Sequence, residues 1–560
     1  MVSNNPIVKA LVEIFAAKGI KHVIFSPGSR NAPIAVSIFN DARFTARVIA
    51  DERSAGFIAL GIALESKQPV VLCCTSGTAL LNYAPAVAEA HYQNIPLIVL
   101  SADRPEEFID QGEGQSINQK NVFANYINKS VNLPRAITDN DVQWHVERTI
   151  NEVVDACYFP KIGPVHINVP FTEPLYQFEE PNQNYQPKII NRTATDVRLS
   201  TTEQQRLEQV WKASSKKLIV CGQMPTNKRL NHLLDNLAND TSVVVLAENL
   251  SNLYSKRFVS CTDRVIASIN NANIDTFAPD LLITIGDAVV SKRIKTMLRN
   301  IKPHHHWDVN TNHFHYDTYQ SLTESIHVLP EAFFESFSQQ VNPQPSDYAN
   351  KWKTLDYTNQ EKHEAFLQSA PYSDFKAFSI IHDFIPEGVA LHLSNSSVIR
   401  YAQLFDTLKD VSYYSNRGVS GIEGSTSTAL GCSLVNDKVN VLITGDISFF
   451  YDSNALWNKY LHPKFKIIMI NNSGGGIFRY IPGPSDTNIL EEFFEAKQNY
   501  SAREICHTFG VEHLLANDET SLERQLEVLL TNFERPMLLE VKTPAELNPQ
   551  VLKDYFNHLK

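Results

Sequence analysis

The chain has 560 residues, 43% hydrophobic and 20% charged, and its 50 basic and 61 acidic side chains leave a net charge of −11. At roughly 150 residues per domain this length allows about three or four compact units. No apolar run is long enough to cross a bilayer, and the negative balance disfavours nucleic acid, whose partners usually present a positive face.

The opening Met1-Val2-Ser3-Asn4-Asn5-Pro6 lacks the basic stretch and apolar core of a secretory leader. Asn5 and Pro6 instead start a helix, as capping residue and first-turn proline, and Gly19 closes it. Short apolar runs follow at 22–26, 47–50, 69–75 and 96–101 with helical sequence between them, the pattern of a parallel sheet covered on both faces. A polar, proline-bearing stretch at 178–204 reads as a linker. Strands are expected next at 217–221, 243–247 and 281–286, then a second polar boundary at 338–346. The last group of apolar runs lies at 389–393, 411–414, 439–444, 466–470 and 537–541. The sequence therefore predicts three tandem α/β domains with mainly parallel sheets, spanning 1–180, 181–345 and 346–560. The seven cysteines are scattered without metal-ligand spacing and read as reduced core residues, which with the missing leader predicts a cytoplasmic protein. His304-His305-His306 follows Pro303 in what reads as an irregular stretch, and the three rings would not share one face for a metal.

In open parallel sheets ligands gather beyond the carboxyl ends of strands, so the residues just after each apolar run carry the functional information. Gly445-Asp446 follows one such run and Asn471-Asn472 another. An aspartate, an asparagine side-chain oxygen and a backbone carbonyl are hard oxygen donors, suited to magnesium holding a diphosphate. Glycines 474, 475 and 476 would let the backbone approach such a ligand. Read without that ligand, both pairs are ordinary turn residues.

This pattern resembles the cofactor motif of thiamine-diphosphate enzymes, which begins with glycine-aspartate and ends with paired asparagines. The resemblance implies Asp446, the Asn472 side chain and the Gly474 carbonyl as ligands of magnesium, with manganese as an alternative ion. It implies Gly445, Ile447 and Ser448 beside the diphosphate. Ile447 stands where the generic motif has glycine. The same resemblance makes Glu52, in Ala50-Asp51-Glu52-Arg53, the catalytic carboxylate that shifts protons on the cofactor's pyrimidine; taken alone, a glutamate there is a dipole-favouring first-turn residue. The first and third domains become pyrimidine- and diphosphate-binding on this reading.

Further segments are similar to one family of thiamine-diphosphate enzymes, the 2-succinyl-5-enolpyruvyl-6-hydroxy-3-cyclohexene-1-carboxylate synthases of menaquinone biosynthesis. They are Phe25-Ser26-Pro27-Gly28-Ser29-Arg30-Asn31-Ala32-Pro33, Ser101-Ala102-Asp103-Arg104-Pro105, Gly114-Gln115-Ser116-Ile117-Asn118-Gln119, Lys292-Arg293, Asn395-Ser396-Ser397-Val398-Ile399-Arg400, Ser415-Asn416-Arg417-Gly418, Ser420-Gly421-Ile422-Glu423-Gly424 and Asn471 through Phe478. That family also lacks the third motif glycine. The resemblance implies a transferase that decarboxylates 2-oxoglutarate and adds the remaining four carbons to isochorismate, working as a homodimer or homotetramer with shared sites. Ser29, Arg30, Arg104 and Gln115 would hold isochorismate, and Arg293, Ser396 and Arg400 the succinyl carboxylate. Lys292 and Arg417 would complete a cationic pocket, since arginine grips carboxylates through paired charge-assisted bonds. Gly421 and Ile422 would touch the cofactor, Ile422 between its rings, and Ile477, Phe478 and Ile481 would form an apolar wall. An acetohydroxyacid synthase or another 2-oxo acid decarboxylase of the same layout is the alternative; smaller or less anionic substrates would not need this arginine set. A non-catalytic ligand-binding protein that kept the fold is a third reading, opposed by the intact Glu52, Asp446 and Asn472.

Overall fold

A computed structural model describes residues 1–560 except 182–184, 194, 313–314, 339–344 and 482. Both expected linkers fall partly outside the described residues. Three sheets, whose central strands are buried β-branched and leucine runs, carry most of the described strands, and Val2–Ser3 pairs antiparallel with Phe178–Glu179 in a small fourth sheet. The first orders its strands Thr45–Val48, His22–Phe25, Val70–Cys74, Leu97–Asp103, Val165–Pro170, Lys129–Asn132, with every pairing parallel. The second runs Val243–Ala247, Lys217–Cys221, Leu281–Ile285, His305–Val309, Glu324–Ile326, again parallel throughout. The third runs Ser412–Tyr414, Ala390–Leu393, Asn440–Gly445, Phe465–Asn471, Met537–Lys542, Glu512–Ala516. The fold class read from the sequence is thus the one observed.

By contacts the described chain divides into two compact units. One joins Met1–Ala194 to Asn416–Asn440 and Phe450–Phe465; the other comprises Thr195–Ser415, Val441–Phe449 and Lys466–Lys560. In the first, the helix Pro6–Ala17 starts as expected, with Asn5 Oδ1 accepting from the Ile7 and Val8 amides, and Gly19 takes a φ of +76°. All seven cysteines are unbridged and buried. No described helix is long and apolar enough to cross a membrane.

Two expectations need correction. The strand expected at 47–50 is Thr45–Val48, because Thr45 and Ala46 pair with His22 and Val23, leaving Ala50 to lead into a helix cap. The histidines after Pro303 are not irregular: His305 and His306 begin the strand His305–Val309. Successive strand residues face opposite ways, so His305 is exposed and His306 is buried between the Thr284 and Ser321 hydroxyls, where burial lowers its pKa to about 4.

Candidate active site

In the first unit the helix Glu52–Ser66 has almost no polar face, and ten of its residues are buried. Its small residues allow backbone contact with the helix Ser425–Ser433. A Cβ on Gly61 would lie 2.1 Å from the Thr428 carbonyl oxygen, and one on Gly431 would lie 2.2 Å from that of Ile58. Asp51 caps the helix, accepting from the Ser54 amide at 3.0 Å and from Asn454 Nδ2 at 2.6 Å. This places Glu52 at the first helical position, half-buried, where burial raises the pKa of its carboxyl and neighbouring Asp51 adds to the shift. An upward shift moves a carboxyl toward the range in which acid–base work near neutral pH is efficient.

The segment carrying Arg417, Gly421 and Ile422 packs in the same unit. The buried Glu89 carboxylate accepts the Gly418 and Val419 amides at 2.7 and 2.8 Å. Gly424 turns with a φ of +75° over the Phe57 ring, and any side chain there would strike it.

The strongest sequence signal lies in the second unit. Asp446 begins a helix directly after the strand Asn440–Gly445 and is 2% exposed. One carboxylate oxygen accepts the Ile447 amide at 2.7 Å, the other Gln498 Nε2 at 2.9 Å. Burial pushes its pKa up to about 7, and the bonds from Ile447, Gln498 and the Gly474 amide offset this only in part. A divalent cation would restore the charged form. Asn472, 6% exposed, gives its Nδ2 to Asp374 at 2.8 Å, so its side-chain oxygen points away from that carboxylate. The Gly474 carbonyl accepts the Gly476 amide at 2.9 Å and keeps a second lone pair. Carboxylate, amide oxygen and carbonyl form a donor set that fits magnesium, and no cage of three His, Cys, Asp or Glu residues exists among the described residues. Gly445 has open space where a side chain would stand, and Ser448 is buried beside a half-buried Ile447.

A cavity of about 830 Å3 in this unit is lined by Lys292, Arg293, Arg400 and Ile481. Arg293 lies 4.1 Å above the Phe556 ring, a cation–π contact that fixes its guanidinium. Residues the sequence did not single out share the lining: Asp263, Tyr480, Lys553 and Lys560. Burial raises the pKa of Asp263, opposed by Ser291 and by Arg293 and Arg400. Arg479 also borders the cavity but is committed to Glu495, Glu491 and Glu546. Ser396, absent from this lining, holds a φ of +73°, rare for a residue with a side chain, at the entry to the helix Ser397–Ala402 that carries Arg400. Ile477 is buried, and Phe478 is half-buried against Phe494.

The residues expected to bind the second substrate sit on loops of the first unit. Arg30 is 8% exposed, bonded to the Phe171 carbonyl at 3.3 Å and paired with Glu173 at 3.2 Å. Gly28 brings its loop so close to Thr75 that a Cβ would lie 2.3 Å away. Arg104 gives its Nε to the Gly114 carbonyl at 3.0 Å and approaches Glu113 at 3.5 Å. Beneath it, buried Gln119, Asn168 and Asp103 form a hydrogen-bonded chain across the strand ends. Ser29 and Gln115 are exposed. Of these four, only Arg104 lines a cavity of about 420 Å3 there, among Lys120, Arg135 and several carboxylates.

Comparison with known proteins defines the class. Residues 7–143 match the thiamine pyrophosphate enzyme N-terminal TPP binding domain, 177–391 the middle domain of thiamine pyrophosphate enzymes, and 396–541 the C-terminal TPP binding domain. Three relatives narrow it. Proteins of Flavobacterium psychrophilum (43% identical, 99% of both chains), Flavobacterium johnsoniae (42%, 98% of both) and Porphyromonas gingivalis (40%, 99% of this chain and 97% of the relative) are each named 2-succinyl-5-enolpyruvyl-6-hydroxy-3-cyclohexene-1-carboxylate synthase. The chain belongs to that synthase family of thiamine pyrophosphate enzymes.

Proposed function

We propose that the protein decarboxylates 2-oxoglutarate and adds the four-carbon remainder to isochorismate, releasing carbon dioxide and 2-succinyl-5-enolpyruvyl-6-hydroxy-3-cyclohexene-1-carboxylate in menaquinone biosynthesis. The observation that carries the substrate assignment is the gathering of Lys292, Arg293 and Arg400 around one cavity with Ile481 at its wall. A dicarboxylic 2-oxo acid needs a cationic end for its distal carboxylate, and guanidinium groups supply paired charge-assisted bonds.

Bound thiamine diphosphate supplies the carbon nucleophile that makes loss of carbon dioxide from a 2-oxo acid feasible. Asp446, the Asn472 side-chain oxygen and the Gly474 carbonyl would hold the magnesium that neutralises its diphosphate, and manganese has the same preference for oxygen donors. Gly445, Ile447 and Ser448 would border the diphosphate, and Gly421 and Ile422 would contact the cofactor's rings. Glu52 keeps a proton available at its carboxyl oxygen for the pyrimidine nitrogen. Arg293, Ser396 and Arg400 orient the succinyl end, with Lys292 and Arg417 adding positive charge. Ser29, Arg30, Arg104 and Gln115 receive isochorismate. Ile477, Phe478 and Ile481 exclude water, which strengthens every charge interaction inside. The reading includes a soluble cytoplasmic protein of three domains, 1–180, 181–345 and 346–560. It further takes the working form as a dimer or tetramer in which Glu52 of one chain serves Asp446 of another.

The test is incubation with thiamine diphosphate, magnesium and 2-oxoglutarate, with and without isochorismate. Carbon dioxide release with formation of the condensed product only when both substrates are present is expected. Turnover of pyruvate in preference to 2-oxoglutarate would overturn the substrate assignment.

A further inference from the structure

The paired asparagines that end the strand Phe465–Asn471 are each gripped by a different buried carboxylate. Asn471 Nδ2 donates to Glu540 at 2.8 Å, and Glu540 is fully buried and also accepts from Ser501, the Ala502 amide and His513. Asn472 Nδ2 donates to Asp374 Oδ2 at 2.8 Å, while the other Asp374 oxygen accepts the Thr543 hydroxyl at 2.5 Å. Asp374 is 2% exposed, and its own amide is tied to Asn548 Oδ1 at 2.8 Å. Asp374 is therefore held by Thr543 at one carboxylate oxygen and by Asn548 at its backbone amide, and its other carboxylate oxygen faces Asn472.

An amide side chain is planar, with oxygen and nitrogen on opposite edges. A carboxylate accepts and never donates, so it selects the nitrogen edge. Asp374 thereby excludes the flipped Asn472, which would turn its NH2 group toward the metal and its oxygen toward another oxygen. The flipped state would cost a buried hydrogen bond and create an acceptor–acceptor contact. We infer that Asp374 is the positioning residue of the metal centre: it acts through Asn472, fixing the ligand oxygen toward the cation, with Thr543 fixing Asp374 in turn. Outer partners of this kind commonly govern 10–100-fold in metal affinity. The inference rests on Asp446 and Asn472 being the metal ligands.

The test measures magnesium affinity calorimetrically in the presence of thiamine diphosphate, alongside the melting temperature of the cofactor-free protein. Asp374→Leu, close in shape but without an acceptor, should weaken magnesium binding by about 10–100-fold. Asp374→Asn should recover to within about threefold of wild type, because its oxygen can face Asn472 while its NH2 donates to the Thr543 hydroxyl. Asp374→Leu that melts like wild type and binds magnesium within about twofold of wild type would overturn the inference. So would Asp374→Asn binding as weakly as the leucine variant, since charge rather than orientation would then be the cause. If Asp374→Leu does not fold, Thr543→Val takes its place, with at least threefold weaker magnesium binding expected and unchanged binding overturning the inference. Asn472→Ala separates the two levels. If it leaves magnesium affinity intact, the ligand assignment itself fails. If it abolishes binding while Asp374→Leu does not, only the positioning role falls.

Discussion

The corner around Asp446, proposed to hold the metal, and the loop around Arg104, proposed to meet the second substrate, are built on different principles. At the corner, Asp446, Asn472 and Asp374 are each less than a tenth exposed and tied to partners drawn from distant parts of the sequence. On the loops, Arg30 is buried and bonded to Phe171 and Glu173 much as the corner residues are, but Ser29 and Gln115 are exposed, and Arg104 makes its side-chain contacts with residues about ten positions away. The rigidity of the corner suits its proposed role, holding one invariant group, a metal and its diphosphate. The loops keep their arginine engaged with Glu113, a contact that a carboxylate substrate can displace at little cost because exposed ion pairs are worth about 0–1 kcal/mol.

The largest expected effect lies at the reacting centre itself. Glu52→Gln should lower turnover by about 10²–10⁴-fold without changing the fold, since an amide cannot exchange the proton. Retention of more than about a tenth of the wild-type rate, in a kinetic assay, would remove Glu52 from acid–base work.

At the corner, Asp446→Ala should weaken magnesium-dependent cofactor binding by roughly 30–5000-fold, in keeping with about 2–5 kcal/mol for deleting one side of a buried charge contact. Wild-type binding should also depend on pH with a defined sign. Burial raises Asp446 to about 7, so below that the metal must displace a proton. Affinity should be complete above pH 7 and fall by up to about tenfold per unit as the pH drops through that value. Calorimetry across pH 5.5–8.5, a range of about three units, measures this directly, and a flat profile would show that Asp446 does not meet the metal.

Smaller effects should separate the two substrates. Arg400→Ala should raise the KM for 2-oxoglutarate about ten- to a hundredfold with little change for isochorismate, and Arg104→Ala should do the reverse. A lost charge-assisted bond costs about 1.5–3 kcal/mol. Equal effects on both constants would merge the two pockets. The smallest change is expected from Glu113→Gln, which releases Arg104 and should lower the KM for isochorismate by no more than about fivefold. A large loss of activity in that variant would mean that the loop is as rigidly built as the corner.

The same contrast explains what the sequence could and could not reveal. Asp446 and Asn472 were legible because strand-end chemistry is local: an apolar run stops and polar residues follow. Asp374 was not, for its contacts with Asn472 and Thr543 span 98 and 169 positions. Following Ser373, it also looks like any acidic residue at a helix start. The central strands were visible as apolar runs, whereas the edge strand Lys129–Asn132 is largely polar and offers no apolar run to find. Lys292, Arg293 and Arg400 were found through resemblance. Lys553 and Phe556 escaped because the charges and rings of an amphipathic helix such as Asn548–Leu559 are ordinarily its solvated face and its core face.

As proposed, the unit that carries Glu52 and the Arg104 loop of one chain joins the Asp446 corner of another to complete one catalytic centre. The most direct measurement mixes inactive Glu52→Gln protein with inactive Asp446→Ala protein after dissociation and reassociation, and assays the mixture for condensed product. A shared site would restore activity in mixed dimers, because one of their two sites receives both intact residues. Mixed dimers that form, from parents that are each folded, yet remain inactive would contradict it and assign each site to a single chain.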